Sequence, residues 1–290
     1  MDLTMRRRFF AEEIEAVGKL KSAALVDAFA AVPRELFLPP GPWSVLADAD
    51  VGMAMGPAKT RLTPDADPAR IYHNIAVGID PSRQLFNGQP STLGAWIDAL
   101  DLAPGKRVLH VGCGLGYYTA IAAHCVTAAG RVLAFEADPA LAEGARANLA
   151  AMPWVEVRAT ADATFADETF DAILINAGMT QPHAAWLDAL AIGGRMIVPL
   201  TSTMGPMGNI GKGLVFLVTR DDETSFSARV AGVVAIYSAV GLRDDQLNAR
   251  VGAAMMAGPQ KWSSISRLRR DPHESAASCW LHDAAFCLSA

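Results

Sequence analysis

Charge is the scarcest property of this 290-residue chain, with Asp, Glu, Lys and Arg making up only 19% of it, against about 25% in an ordinary soluble domain. Its 25 Lys and Arg face 30 Asp and Glu, for a net charge of −5. No basic excess exists to neutralise a phosphate backbone, which excludes a broad nucleic-acid surface. Cysteine is sparse as well. Cys113, Cys125, Cys279 and Cys287 contain no Cys-x-x-Cys pair, so a small disulfide scaffold is excluded and free thiols in a reducing cytoplasm are expected. No apolar run approaches the roughly 18 residues of a spanning helix. Arg6-Arg7-Arg8 and Phe9-Phe10 are followed at once by Glu12, Glu13 and Glu15, where a secretory signal needs its apolar segment. These absences describe a cytoplasmic protein without a membrane partner. Internal repeats and low-complexity tracts are missing too.

What the chain does have is apolar surface: 51% of its residues are hydrophobic, and mean hydropathy is +0.21. That permits a large core, and at about 150 residues per domain the length suits one α/β domain with sizeable additions. Helical spacing runs through Phe10, Ile14, Val17 and Leu20, then Leu25 and Phe29, until Pro33 stops it. Residues 39–70 are rich in Pro and Gly and read as a long loop, of the kind that serves as a lid or insertion. Gln89-Pro90-Ser91 opens a helix through Leu100.

From residue 105 strands and helices alternate. Arg107–Val111, Arg131–Phe135, Val155–Arg158, Phe170–Ile175 and Arg195–Pro199 read as strands; Tyr117–Val126, a segment around Leu141–Leu149 and Ala184–Leu190 read as helices. Short β–α spacings imply a doubly wound α/β fold with a mostly parallel sheet. Gly213–Thr219 and Phe226–Tyr237 then suggest an antiparallel hairpin. The expected division is a helical and loop segment over residues 1–80 that covers the active site, a ligand-binding core over 81–240, and an extension over 241–290. The extension holds one helix, Asp244–Met256, and apolar residues such as Trp262, Leu268, Trp280 and Phe286 that complete a pocket or form a homodimer interface.

The most informative segment is His110-Val111-Gly112-Cys113-Gly114-Leu115-Gly116-Tyr117, a strand end, a glycine turn and a helix start. Glycines let the backbone turn tightly and approach a ligand, and the first amides of the helix face it. A dinucleotide site wants G-x-G-x-x-G, whose third glycine is Tyr117 in this chain; G-x-G-x-G favours a nucleoside ligand lacking a pyrophosphate and disfavours a nicotinamide oxidoreductase. Glu136, just past the second strand, can accept from both ribose hydroxyls. Asp162, past the third, can accept from an adenine amino group. Open α/β sheets bind ligands at that edge of successive strands.

At these residues the chain resembles the class I S-adenosylmethionine-dependent methyltransferases, and more narrowly the protein-L-isoaspartate O-methyltransferase family. The resemblance rests on Val32-Pro33-Arg34-Glu35-Leu36-Phe37, Gln89-Pro90, the Gly112–Tyr117 loop with Thr119-Ala120, and Glu136-Ala137-Asp138-Pro139. It continues through Phe170-Asp171-Ala172-Ile173 with Ala177-Gly178 and through Gly193–Pro199, covering residues 20–237. It implies a Rossmann-like methyltransferase fold with a seven-stranded sheet and S-adenosyl-L-methionine as cofactor. Gly112, Gly114 and Gly116 would line its methionine part, Glu136 its ribose and Asp162-Ala163 its adenine, with Cys113, Tyr117, Ala137 and Asn176 completing the cofactor set. Asn87, Gly88, Gln89, Pro90 and Ser91 would lie over the reacting sulfonium, Gly88 and Gln89 being the active-site pair. Two positions depart from the family pattern: Gly88 stands where an Ile-Ser-x-Pro segment has its serine, and Tyr72-His73-Asn74 replaces Tyr-x-Asp.

A carboxylate acceptor is ionised at pH 7 and needs no general base. The expected reaction is therefore O-methylation of an isoaspartyl or aspartyl carboxylate in a peptide or protein. A small-molecule methyltransferase and a catalytically weak cofactor-binding scaffold remain alternatives. A hydroxyl or amine acceptor would call on His73, His110 or His183. His110, on a buried strand, reads as a hydrogen-bonded structural residue, and His183 as the best placed of the three. His273, Cys279, His282 and Cys287 lie close in sequence, but no Cys-x₂₋₄-Cys pair is present. They read as buried small residues, and no metal is assigned.

Overall fold

The first helical segment folds as two helices, α1 (Leu3–Gly18) and α2 (Ala23–Ala31), because Lys19 turns left-handed between them with φ 53°. The Asp98 carboxylate holds that corner by accepting the main-chain N–H groups of Lys21 and Ser22 at 3.1 and 2.9 Å. Phe10, Ile14, Leu25 and Phe29 form the buried faces. Pro33 stops α2, and a 3₁₀ turn follows at Arg34–Phe37.

The computed structural model describes residues 2–46, 59–161, 168–203 and 209–290. The chain divides into two units, Met1–Ala161 and Asp162–Ala290. In the first, the stretch read as a long loop contains two short strands, β1 (Ser44–Leu46) and β2 (Arg61–Leu62). With β3 (Ala76–Asp80) and β4 (Leu85–Phe86) they make a small sheet in the order β2-β1-β3-β4. Trp43 anchors it: its N–H donates to the Thr63 hydroxyl at 2.8 Å, and its indole N–H to the Pro39 carbonyl at 2.7 Å.

Then come α3 (Pro90–Ala99), β5 (Arg107–Val111), α4 (Tyr117–Val126), β6 (Arg131–Glu136), α5 (Pro139–Asn148) and β7 (Val155–Ala159). The strands β5, β6 and β7 are parallel, in register from Val108 to Val132 and from Val132 to Val155. Val108, Leu109, Val132, Leu133 and Ala134 are fully buried, as a strand covered on both faces requires. The loops that leave the carboxyl ends of β5 and β6 belong to the expected binding edge.

The second unit contains β8 (Phe170–Ile175), α6 (Ala184–Ala189), β9 (Leu190–Thr203), β10 (Ile210–Arg220) and β11 (Phe226–Tyr237). β8 and β9 are parallel; β9, β10 and β11 are antiparallel, as the hairpin reading expects. The extension adds α7 (Asp245–Met255), α8 (Pro259–Ser263), β12 (Arg267–Arg269), β13 (Cys279–His282) and β14 (Cys287–Ser289). Within this unit the sheet runs β8, β9, β10, β11, and β12, β14 and β13 continue it outward from β11. Leu268, Leu281, Phe286 and Leu288 are buried, and Trp280 packs on Phe216 with ring centroids 5.4 Å apart.

No helix among the described residues is long and apolar enough to cross a membrane.

Candidate active site

The glycine loop is held in a conformation that its sequence demands. Gly112, Gly114 and Gly116 have φ of 76°, 55° and 94°, a region in which an L side chain is strained. A Cβ at Gly116 would also stand 2.8 Å from Leu149 Cδ1. The N–H groups of Gly112 and Cys113 both donate to the Phe135 carbonyl, at 2.8 and 3.1 Å, tying the loop to the end of β6.

Glu136 completes that end. One carboxylate oxygen accepts the Gly114 N–H at 2.7 Å and the other the Asp138 N–H at 3.0 Å. Both oxygens are thus aimed by main chain, and each retains capacity for a further donor. Ala137 lies between them, and Asp138 caps α5 while pairing with Arg83 at 2.7 Å. Asp162 and Ala163 lie outside the described residues. Asn176 directly follows β8 and is half-buried.

The segment before α3 is fixed by a residue whose role the sequence reading missed. Arg34 is fully buried and sits 5.7 and 5.9 Å from the Phe10 and Tyr117 ring centres. Its guanidinium donates to the carbonyls of Ile71 at 2.6 Å and Ile75 at 2.7 Å, and to Asn87 Oδ1 at 3.1 Å. Asn87 Oδ1 accepts a second bond, from the Val77 N–H at 3.0 Å, whereas its buried amide nitrogen has no partner. Tyr72 accepts the Arg34 N–H at 3.0 Å and donates to Glu35. Motif membership of Arg34 was visible in Val32–Phe37; its burial was not.

The two departures from the family pattern acquire physical reasons. Gly88 has φ 82°, and a Cβ there would meet Leu93 Cδ2 at 2.8 Å. The left-handed backbone and the nearby Leu93 side chain both favour glycine at the serine position. Tyr118 donates to the Gly88 carbonyl at 3.2 Å, which holds the turn. Asn74 accepts the Ser91 N–H at 2.9 Å, satisfying an amide in the first turn of α3, a task that needs an acceptor but no charge. The Gln89 side chain donates to the Asn74 carbonyl at 3.4 Å.

Four titratable side chains beside the loop, His110, Cys113, Tyr117 and Tyr118, are held neutral. His110 is fully buried, its Nδ1 is 2.8 Å from the Thr119 hydroxyl, and burial pushes its pKa down to about 3. Its structural reading agrees with this geometry. Burial raises the Cys113 thiol well above its ordinary value and does the same for the Tyr117 and Tyr118 phenols. The Tyr117 ring joins Phe29, Phe37 and Tyr118, so what this residue can offer a ligand is its main-chain amide at the start of α4. His73 is exposed. His183 precedes α6 and its ring lies 5.2 Å from that of Trp186.

One reading requires correction. His273, Cys279, His282 and Cys287 are not four separately buried residues: three are half-exposed, and their ligand atoms lie within 4.8 Å of one another.

Comparison with known proteins places this geometry. A solved protein-L-isoaspartate O-methyltransferase superposes with a TM-score of 0.64 at 20% identity, over 86% of this chain and 69% of the other. A Plasmodium falciparum chain of the same description, solved in complex with S-adenosyl-L-homocysteine, gives a TM-score of 0.54 at 16% identity, covering 80% and 97%. These likenesses show the fold, which is that of the class I S-adenosylmethionine-dependent methyltransferases. The family model described as protein-L-isoaspartate(D-aspartate) O-methyltransferase matches residues 58–229. A protein-L-isoaspartate O-methyltransferase of Methylorubrum populi is 34% identical over 79% of this chain and 92% of its own. Another, from Archaeoglobus fulgidus, is 28% identical over 84% and 98%. The chain belongs to the protein-L-isoaspartate O-methyltransferase family.

Proposed function

We propose that the protein transfers a methyl group from S-adenosyl-L-methionine to the free carboxylate of an isoaspartyl or aspartyl residue in a peptide or protein, and does so in the cytoplasm. The residues present suit that cofactor. Three left-handed glycines leave a cradle that a Cβ would strain, the Glu136 oxygens are preset for a diol, and the buried Asn87 amide nitrogen lacks an acceptor within the described chain. Gly112, Gly114 and Gly116 would hold the methionine part, Glu136 the ribose, and Asn87 to Ser91 the rim over the sulfonium. Bound there, the cofactor supplies an already activated methyl group.

The observation that carries the choice of acceptor is that the buried groups beside the glycine loop, His110, Cys113, Tyr117 and Tyr118, offer no competent base. Burial makes His110 too weak a base, and leaves Cys113, Tyr117 and Tyr118 protonated, so none of the four can take a proton from an acceptor at neutral pH. An acceptor that arrives ionised needs none of them, and the chain's task reduces to alignment and exclusion of water. Methyl transfer to an isoaspartyl peptide, scored as base-labile label, tests this. Gly88 supports a second reading, a narrower peptide or small-molecule carboxylate, because it removes the family serine's side chain from the rim. A panel of carboxylate acceptors separates the two.

A further inference from the structure

The extension ends in four side chains that share one point. His273 lies in the connection after β12, Cys279 and His282 bracket β13, and Cys287 opens β14 directly opposite His282 in the register. Their Nδ1 or Nε2 and Sγ atoms all lie within 4.8 Å of one another. A tetrahedral site with Zn–N near 2.0 Å and Zn–S near 2.3 Å has ligand–ligand edges of roughly 3.3–3.8 Å, so a small contraction closes this group. We propose that His273, Cys279, His282 and Cys287 form a structural zinc site that fastens the C-terminal strands.

Three details outside the clustering itself point to a ligand. His282 Nδ1 is buried and has no hydrogen-bond partner, a cost that a coordinate bond removes. The other imidazole is already oriented: His273 Nδ1 bonds the Asp271 carbonyl at 2.8 Å, which leaves Nε2 toward Cys279 Sγ at 3.9 Å. A carbonyl behind a histidine is the usual outer support of a metal-bound ring. Cys279 Sγ in turn accepts the Ala276 N–H at 3.4 Å, the kind of bond that steadies a thiolate. Two thiolates and two imidazoles, with no fifth group in the cluster among the described residues, select zinc over the hard cations, and a set of four protein ligands makes the site structural.

Mechanical need agrees with the chemistry. β12, β13 and β14 have three or four residues each, too short to persist by pairing alone, and the 270–278 connection has no regular structure. A metal bound across that connection and both following strands would tie folding of the extension to zinc.

The test uses the full chain without an affinity tag, purified with reductant and without chelator. Elemental analysis after gel filtration should find about one zinc per chain. Cys279→Ser/Cys287→Ser should lose it, whereas Cys125→Ser should keep it. Should the double variant fail to fold, the wild-type chain stripped of metal and titrated with CoCl2 should develop the visible bands of tetrahedral cobalt–thiolate coordination. Chelation should lower the melting temperature by at least about 5 °C. Zinc far below one per chain together with no cobalt bands would overturn the proposal, as would a Cys279–Cys287 disulfide found by mass spectrometry of the freshly prepared chain. None of these readouts depends on methyl transfer.

Discussion

The Glu136 carboxylate accepts the Gly114 main-chain N–H at 2.7 Å, so the acid at the end of β6 is tied directly to the glycine loop after β5. The bond explains why an acid belongs at this position: it orders the loop and still presents acceptor capacity outward. Replacing Glu136 by Ala should weaken S-adenosylmethionine binding by well over tenfold in calorimetry. Glu136→Gln should fall between, since an amide oxygen serves one of the two N–H groups but offers no anionic acceptor to a diol. Wild-type affinity in both variants would remove the ribose assignment.

Gly88→Ser would place the family residue on a left-handed backbone. A side chain at φ 82° with its Cβ 2.8 Å from Leu93 Cδ2 should cost about 1–2 kcal/mol from backbone strain alone. The variant should melt lower and transfer methyl no faster than wild type. Higher stability or a gain in rate would show that the turn adapts freely.

Arg34→Met should destabilise the first unit by at least about 3 kcal/mol, because it leaves buried carbonyls of Ile71 and Ile75 and the Asn87 oxygen short of donors. Urea denaturation measures the loss. Arg34→Lys should recover only part of it, since an ammonium cannot reach partners in the plane of a guanidinium fork. Near-wild-type stability of the Met variant would mean that the hub is incidental.

His110 makes stability depend on pH in a definite direction. Burial holds it neutral in the folded chain down to about pH 3, while the unfolded chain takes up its proton near 6.5. Between those values the unfolded state binds more protons, so stability falls as pH is lowered, by up to about 1.4 kcal/mol per unit from this group. His110→Gln should flatten the acid limb of a plot of unfolding free energy against pH from 7 to 4. Parallel profiles for the two proteins would contradict it.

How much of this was legible depends on how local the cause was. The β5–α4–β6 unit, the glycine loop and Glu136 were readable because each rests on neighbours within some 25 residues and on residue types with a single conformational or chemical use. Arg34 was not, because its partners at 71, 75 and 87 arrive only once the chain has folded back. The Pro- and Gly-rich stretch hid β1 and β2 because strands of two or three residues leave no alternating pattern. The Cys and His group was discounted on the absence of Cys-x₂₋₄-Cys, although Cys279-x₂-His282 has the same spacing with one ligand exchanged. A search for mixed pairs would have found it.

The central claim is methylation of a carboxylate, and it is tested most directly by incubating the protein with methyl-labelled S-adenosylmethionine and a peptide carrying one isoaspartyl residue. The expected result is label on that peptide, released as methanol by mild base and absent from the matched peptide with an ordinary amide-linked asparagine. Base-stable label on another acceptor, or tight cofactor binding with no transfer to any carboxylate, would contradict it.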